Sequence, residues 1–239
     1  MHFVLIPGAG GAAWYWHRAT PLLEASGHDV VAVDLPGEDE NAGLDVYVGL
    51  ALRAVAARAD AVLVAQSLGG FTAAMVCART PVAMLVLLNA MVPKPGETPG
   101  QWWQHIGHQA ARVEAAKRGG YPTAFDPETY FLHDVPFDVA AAGVAHQRRQ
   151  AETVFGSPCR FEHWPDAPIH VVGGADDRFF PIDFQRRVAR ERLGREVEVV
   201  PGGHLAALSH PRELVEHLIG LVPPPSRIEA SSRSASLGH

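Results

Sequence analysis

The chain has 239 residues, of which 47% are hydrophobic and 19% are charged, enough for one large core with an insertion. The net charge of −6 and the pI near 6.1 lack the basic excess of nucleic-acid-binding proteins. Two cysteines are too few for a disulfide framework, and the longest apolar run, 82–88, is far too short for a membrane span.

Short apolar segments alternate with helical ones along most of the chain. The predicted strands are 2–6, 29–33, 61–65, 82–88, 169–172 and 196–200, and the predicted helices lie near 14–26, 45–58, 68–78, 182–193 and 212–221. All strands but the last are continuous apolar runs, which is typical of parallel strands covered on both faces. The pattern predicts a doubly wound, mainly parallel α/β sheet of about six strands, with ligands bound at the carboxyl ends.

The alternation stops between Pro93 and Pro165, in a segment rich in aromatic residues and histidines. We expect this insertion, 93–164, to form a helical lid over a pocket, and 1–92 with 165–222 to form the core. Residues 223–239 begin with three prolines and continue with a serine-rich segment, which predicts a disordered tail. Residues 3–6 are too few for the hydrophobic region of a signal peptide, so a cytoplasmic protein is expected.

Residues 62–70, Val-Leu-Val-Ala-Gln-Ser-Leu-Gly-Gly, are the most informative stretch of the chain. An apolar strand runs into Ser67, and a helix-compatible segment follows. Small residues at Ala65, Gly69 and Gly70 let the strand and the helix pass closely, so that the serine lies at a strained apex. Ala65 replaces the first glycine of the pattern G-x-S-x-G. The arrangement predicts a nucleophilic serine.

A nucleophilic serine needs a base and a carboxylate that orients it. His204 follows two glycines after the last predicted strand, and Asp176 and Asp177 lie in the loop after the strand before it. Both loops leave carboxyl ends, so His204 and one aspartate can converge on Ser67. The oxyanion of acyl transfer also needs donors. The N–H of Leu68 is one candidate, and the loop at 7–11 should supply another.

These motifs resemble the α/β-hydrolases, and within them the plant methylesterase and hydroxynitrile lyase branch. The similarity covers about residues 2–90 and 165–220 and includes 13–17 (Ala-Trp-Tyr-Trp-His), 179–181 (Phe-Phe-Pro) and 202–204 (Gly-Gly-His). It implies a triad of Ser67, Asp177 and His204, because Asp177 rather than Asp176 fits the family spacing Asp-x-x-x-Pro. It also implies that the N–H of Ala9 is the second oxyanion donor.

Two positions favour ester hydrolysis over cyanohydrin cleavage. The lyases of that branch resemble one another in a lysine directly after the catalytic histidine and a hydroxyl residue near the oxyanion loop. Leu205 and Gly8 stand there in this chain, and neither can do that work. Gly8, Trp102, Trp103, Phe131 and Leu205 are the expected pocket residues, and the tryptophans suggest an aromatic or medium aliphatic acyl group.

The sequence thus predicts a serine hydrolase that cleaves a small, fairly apolar carboxylic ester through an acyl-enzyme, without metal or cofactor. No nucleic-acid or membrane partner is expected, and the oligomeric state is not predicted. Alternatives on the same fold are a C–C hydrolase, a lyase, a cofactor-free dioxygenase or a receptor-like binding protein. A remoter alternative is an NAD(P)-dependent reductase, because Gly8, Gly10 and Ala13, with Asp34, match a dinucleotide fingerprint.

Three further polar residues are interpreted without a catalytic role. His105 and His108, three positions apart, are expected on a solvated or pocket-facing helix rather than at a metal. Asn89 ends the strand before the lid, where an acid serves in some members of the superfamily. As an asparagine, it can only form hydrogen bonds.

Overall fold

A computed structural model describes residues 1–223, and six parallel strands form its one sheet. The strands are β1 (His2–Ile6), β2 (Asp29–Ala32), β3 (Ala61–Gln66), β4 (Met84–Leu88), β5 (Ile169–Gly174) and β6 (Val197–Val200). Their order is β2-β1-β3-β4-β5-β6, and every neighbouring pair is parallel. The predicted α/β-hydrolase fold with six strands is confirmed.

In the described residues 1–223, ten α-helices connect and cover the strands. They are α1 (Thr20–Ala25), α2 (Leu44–Val55), α3 (Gly69–Cys77), α4 (Pro99–His105), α5 (His108–Gly119), α6 (Phe137–Gly143), α7 (Glu152–Phe155), α8 (Ile182–Leu193), α9 (Ala206–Ser209) and α10 (Pro211–Leu221), with 3₁₀ turns at Ala13–Trp16 and Val144–His146 and a π-helix at Glu128–Leu132. The helix predicted near 14–26 is two separate pieces, with Pro21 in the first turn of α1. Within residues 1–223, no helix is long and apolar enough to cross a membrane.

The core has two layers because alternate residues of each strand point to opposite faces of the sheet. Val4 and Leu63 pack under α2, α3 and α8 on one face. Phe3 and Val62 pack against α1, α9 and α10 on the other. The central strands are therefore apolar on both faces, which explains their continuous hydrophobic runs.

The insertion between β4 and β5 has two structural parts. Residues near its ends, including Trp102, Val154 and Phe161, belong to the hydrophobic core. Of the insertion, only residues between 127 and 150 line a cavity that lies above the carboxyl ends of the strands. The roof over this cavity is thus much shorter than the predicted lid of 93–164. The predicted tail at 223–239 lies outside the described residues except for Pro223.

The connection from β3 to α3 fits only without side chains at two positions. A Cβ built on Gly70 would lie 2.0 Å from the carbonyl oxygen of Met91, and one on Gly69 would lie 2.7 Å from that of Pro7. Both distances are far below van der Waals contact. Backbone atoms cannot yield as a flexible side chain can, so the predicted need for small residues has a direct steric cause.

We predict that Gly70→Ala lowers the free energy of unfolding by about 1–3 kcal/mol or prevents folding, because backbone must move to admit the methyl group. The matched control is Gly220→Ala in α10, where a Cβ meets none of the described residues within 4 Å. That change should raise stability by roughly 0.5–1 kcal/mol. Thermal and urea unfolding measure both, and equal stability of the two variants would contradict the steric account.

Candidate active site

Ser67 occupies the apex of the turn between β3 and α3. Its φ is +50°, a left-handed conformation that costs a residue other than glycine roughly 1–3 kcal/mol. Backbone hydrogen bonds hold it there: the Ser67 N–H donates to Leu88 O at 3.3 Å, and its carbonyl accepts from the N–H groups of Gly70 and Met91. The neighbouring strand β4 therefore helps to maintain the strained turn.

Ser67, His204 and Asp177 form one hydrogen-bonded chain. His204 Nε2 lies 3.2 Å from Ser67 Oγ, and His204 Nδ1 lies 2.8 Å from Asp177 Oδ2. All three residues are buried. An imidazole protonated on Nδ1 donates to the carboxylate and leaves Nε2 free to accept the Ser67 hydroxyl proton. The structure thus brings together the three residues that the sequence proposed as a triad.

The Asp177 carboxylate is held by donors on both of its oxygens. Oδ1 accepts from the N–H groups of Phe179 and Phe180, each at 2.8 Å. Oδ2 accepts from Gln185 Nε2 at 3.3 Å in addition to His204. The side chain of Asp176 does not share these bonds, and the residue is exposed. Asp177 is therefore the aspartate that faces the imidazole.

Asn89 connects the strand ends beneath the histidine. It is fully buried with φ +44°, its Nδ2 donates to the carbonyls of Gly203 and His204, and its Oδ1 accepts from Gly174 N–H and Gln185 Nε2. The sequence placed Asn89 at a strand end and allowed it only hydrogen bonding. It did not indicate this many partners, nor any role for Gln185.

The two proposed oxyanion donors lie beside Ser67. Leu68 directly follows it and precedes α3. Gly8 packs against the elbow, the turn at residues 66–70 that carries Ser67, since a Cβ on Gly8 would lie 2.3 Å from Gln66 Oε1 and 2.9 Å from Ser67 Cβ. Ala9 comes next and lines the cavity. Within residues 1–223, neither the Leu68 nor the Ala9 N–H donates a hydrogen bond to the protein, so both are available to a ligand.

A cavity of about 420 Å³ opens above Ser67 and His204. Its walls are mostly apolar and come from three parts of the chain: Trp14, Tyr15, Phe131, Leu132, Val139, Ala140, Leu205 and Leu208. The Trp14 indole stacks between the rings of His17 and His146, at centroid distances of 4.2 and 4.9 Å, and so joins the roof to the core. Gly8, Phe131 and Leu205 line the cavity as expected.

Trp102 and Trp103 do not line this cavity, so their prediction as pocket residues is wrong. Trp102 is fully buried in the core, and its Nε1 donates to Val92 O at 3.1 Å. The Trp103 ring packs against Trp102 and Phe180. Both residues belong to α4, the part of the insertion that packs on the core. Their rings contact Phe180, in the loop that carries Asp177.

His108 neither faces solvent nor lines the cavity, so the expectation that it lies on a solvated or pocket-facing helix is wrong. The residue is buried, and its Nε2 donates to Phe179 O at 2.7 Å. Its ring also packs on Trp103 and Phe180. Burial lowers the pKa of His108 to about 4, so the ring is neutral at pH 7. His105 is exposed as expected.

The glycine loop after β1 is explained by packing rather than by dinucleotide binding. Gly8 approaches the elbow, and a Cβ on Gly10 would lie 2.7 Å from Arg148 O. The Asp34 carboxylate pairs with Arg148 and accepts from the Ala13 N–H, so it has structural partners within the protein. Within residues 1–223, no group of three His, Cys, Asp or Glu side chains is arranged to hold a metal ion.

Comparisons with known proteins agree with this architecture. A model of the alpha/beta hydrolase family matches residues 3–217. The chain is 28% identical to Methylesterase 3 of Arabidopsis thaliana, covering 91% of this chain and 94% of the relative. It is 33% identical to Norfluorocurarine synthase 1 of a Strychnos species, covering 89% and 92%.

Two solved structures are similar over nearly their full length. A polyneuridine aldehyde esterase matches with a TM-score of 0.73 and 19% identity, covering 92% of this chain and 98% of the other. A pyrethroid hydrolase from Sphingobium faniae JZ-2 matches with a TM-score of 0.72 and 23% identity, covering 94% and 98%. At these identities the likeness shows the fold alone.

The lowered pKa of His108 predicts a pH-dependent stability. In the unfolded chain this histidine binds a proton near pH 6.5, but in the folded protein only near pH 4, so its contribution to stability is complete above pH 6.5 and is lost as the pH falls to 4. The loss amounts to up to about 3 kcal/mol.

Urea unfolding at pH 7 and pH 4.5 measures this effect. His108→Phe should lose less stability on acidification than the unaltered protein, whereas the control His105→Phe, at an exposed position, should lose the same amount. An unchanged pH dependence in His108→Phe would show that another group governs this range.

Proposed function

Because the chain belongs to the alpha/beta hydrolase family, whose model matches residues 3–217, we propose that it is a serine hydrolase that cleaves small carboxylic esters. The observation that carries this proposal is the hydrogen-bonded chain from Ser67 Oγ through His204 to Asp177 at the floor of the cavity. The relatives named as methylesterases support an ester as substrate.

In the proposed reaction, Ser67 Oγ attacks the ester carbonyl carbon while His204 Nε2 takes the hydroxyl proton. Asp177 holds the imidazole in the tautomer that can accept it and stabilises the imidazolium. The carbonyl oxygen becomes an oxyanion, which the N–H groups of Ala9 and Leu68 stabilise. The carbon–oxygen bond to the alcohol then breaks, and His204 returns the proton to the leaving oxygen.

Water completes the cycle on the acyl-enzyme. His204 takes a proton from the water as its oxygen attacks the acyl carbon, and a second oxyanion forms. The bond to Ser67 Oγ then breaks, Oγ takes the proton back from His204, and the carboxylic acid leaves. Apart from the attacking water, every proton donor and acceptor in this scheme is a group of the protein, so the proposal includes no cofactor.

The cavity favours a fairly apolar substrate of modest size. Its volume of about 420 Å³ lies within the range of small-molecule pockets, and its walls are largely aliphatic and aromatic. We propose a small ester with an aromatic or medium aliphatic group. Cytoplasmic localisation stays a prediction from the sequence.

Ester hydrolysis should depend on the Ser67 hydroxyl. Ser67→Ala removes the nucleophile but keeps the backbone donors and the cavity, so we expect a loss of roughly 10³-fold or more in kcat/KM for p-nitrophenyl esters. The fold should be retained, since the change removes one oxygen atom.

A second assay, cyanide release from mandelonitrile, separates the esterase from a cyanohydrin lyase. Leu205 and Gly8 both line the cavity and offer neither a cation for departing cyanide nor a hydroxyl for the substrate. We expect no cyanide release from mandelonitrile above background. Ser67-dependent cyanide release without ester turnover, or near-normal ester turnover by Ser67→Ala, would overturn the proposal.

The two adjacent aspartates provide a matched pair. Asp177→Asn keeps the size of the side chain but favours the wrong imidazole tautomer, which should lower kcat on the order of 10⁴-fold. Asp176→Asn changes an exposed side chain that is not bonded to His204 and should stay within about threefold of the unaltered enzyme. The reverse ranking in steady-state kinetics would show that the orienting carboxylate is misassigned.

A further inference from the structure

Two side chains of the roof form hydrogen bonds to the loops that carry the catalytic groups. Asp134 Oδ2 accepts from the N–H of Gly203, the residue before His204, at 2.6 Å. Gln150 Oε1 accepts from the N–H of Gly10, the residue after Ala9, at 3.0 Å. We propose that Asp134 and Gln150 are positioning residues, through which the roof fixes the catalytic histidine and an oxyanion donor. The inference rests on the proposed function, whose catalytic groups it concerns.

Asp134 bonds to a group of the histidine loop, residues 201–204, that Asn89 in the core does not bond. Asn89, from below, donates only to carbonyl oxygens of this loop, those of Gly203 and His204. The Gly203 N–H is a donor and finds its acceptor in the roof. The contact is close, because a Cβ on Gly203 would lie 2.9 Å from Asp134 Oδ1.

The bond from Gly203 should be strong and its loss should matter. The acceptor is a carboxylate whose side chain is only 14% exposed, and charge-assisted hydrogen bonds are shorter and stronger than neutral ones. The loop it restrains contains Gly202, with φ +104°, a conformation open mainly to glycine. Without Asp134, the peptide unit between Gly202 and Gly203 loses its acceptor, so the segment that leads into His204 is held less firmly and the imidazole loses its alignment with Ser67.

Gln150 links the glycine loop to the core. While its Oε1 accepts from Gly10, its Nε2 donates to Tyr47 Oη at 3.1 Å and to Gly37 O at 3.4 Å. Tyr47 is a buried residue of α2 and therefore a rigid anchor. The Gly10 N–H belongs to the peptide unit that directly follows Ala9. By holding that unit, Gln150 restrains the backbone on one side of Ala9 and so limits the directions in which the Ala9 N–H can point.

Neither bond involves the substrate directly, so their loss should slow the chemical step more than it weakens binding. Asp134 does not line the cavity. Gln150 does line it, but its Oε1 is engaged by Gly10 and its Nε2 by Tyr47 and Gly37. Misplacement of a catalytic group by a fraction of an ångström is enough to lower the rate.

Steady-state kinetics of Asp134→Ala, Asp134→Asn and Gln150→Ala with p-nitrophenyl esters test this proposal. We expect Asp134→Ala and Gln150→Ala to lower kcat about 10-fold or more, with KM within about threefold. Asp134→Asn keeps a carbonyl acceptor for the Gly203 N–H and should recover most of the loss. The control is Asp138→Ala in α6, an exposed aspartate of the same roof, which should leave kcat unchanged.

A kcat of Asp134→Ala within about twofold of the unaltered enzyme, a loss confined to KM, or an equal loss in Asp134→Asn would overturn the proposal. Circular dichroism identifies variants that do not fold. If Asp134→Ala does not fold, the other two variants decide. A lowered kcat in Gln150→Ala together with a near-normal kcat in Asp134→Asn supports the proposal, and any other pair of results overturns it. If the unaltered protein hydrolyses none of the esters, the proposed function is rejected. If the unaltered protein is active and the variants are equally active, only the positioning roles are rejected.

Discussion

Close backbone contact at the carboxyl edge of β1, β3 and β4 is the constraint on which the site depends. Gly8 touches the elbow, Gly69 lies against Pro7 O, and Gly70 lies against Met91 O. Ser67 can keep its left-handed conformation because these contacts and the hydrogen bonds to Leu88 and Met91 leave it no alternative. The same packing places the glycine loop, and with it Ala9, beside the serine.

A buried polar network transmits this order to the histidine and the aspartate. Asn89 satisfies carbonyl groups of the histidine loop and accepts from β5 and from Gln185, which also donates to Asp177. Buried polar groups are costly without partners, so a network of this kind is stable in one arrangement only. His108 adds to it through Phe179, whose N–H donates to the same carboxylate. The catalytic groups thus lie on a rigid base.

The strands and the catalytic residues were predictable because their signals are local. The continuous apolar runs identified five of the six strands, and the small residues around Ser67 identified the elbow. The choice of Asp177 required more than the local sequence, since Asp176 and Asp177 are adjacent aspartates in the same loop. The choice came from the spacing to Pro181, and the structure shows its reason in the N–H groups of Phe179 and Phe180.

The insertion was not predictable in the same way, because its residues contact partners far away in the chain. Trp102 is an aromatic residue of an apparent lid, but it packs in the core beside Phe184. Similarly, nothing near Asp134 or Gln150 in sequence indicates that they bond to Gly203 and Gly10. Such contacts follow from how the insertion folds back on the sheet, for which the sequence pattern carries no periodic signal.

Covalent trapping of the nucleophile tests the central claim most directly. The unaltered protein is incubated with an aryl fluorophosphonate, and the modified peptide is identified by mass spectrometry while ester hydrolysis is followed. We expect one phosphonyl group on Ser67 Oγ, with hydrolysis lost in proportion to labelling. Modification of another residue, or continued hydrolysis by fully labelled protein, would contradict it.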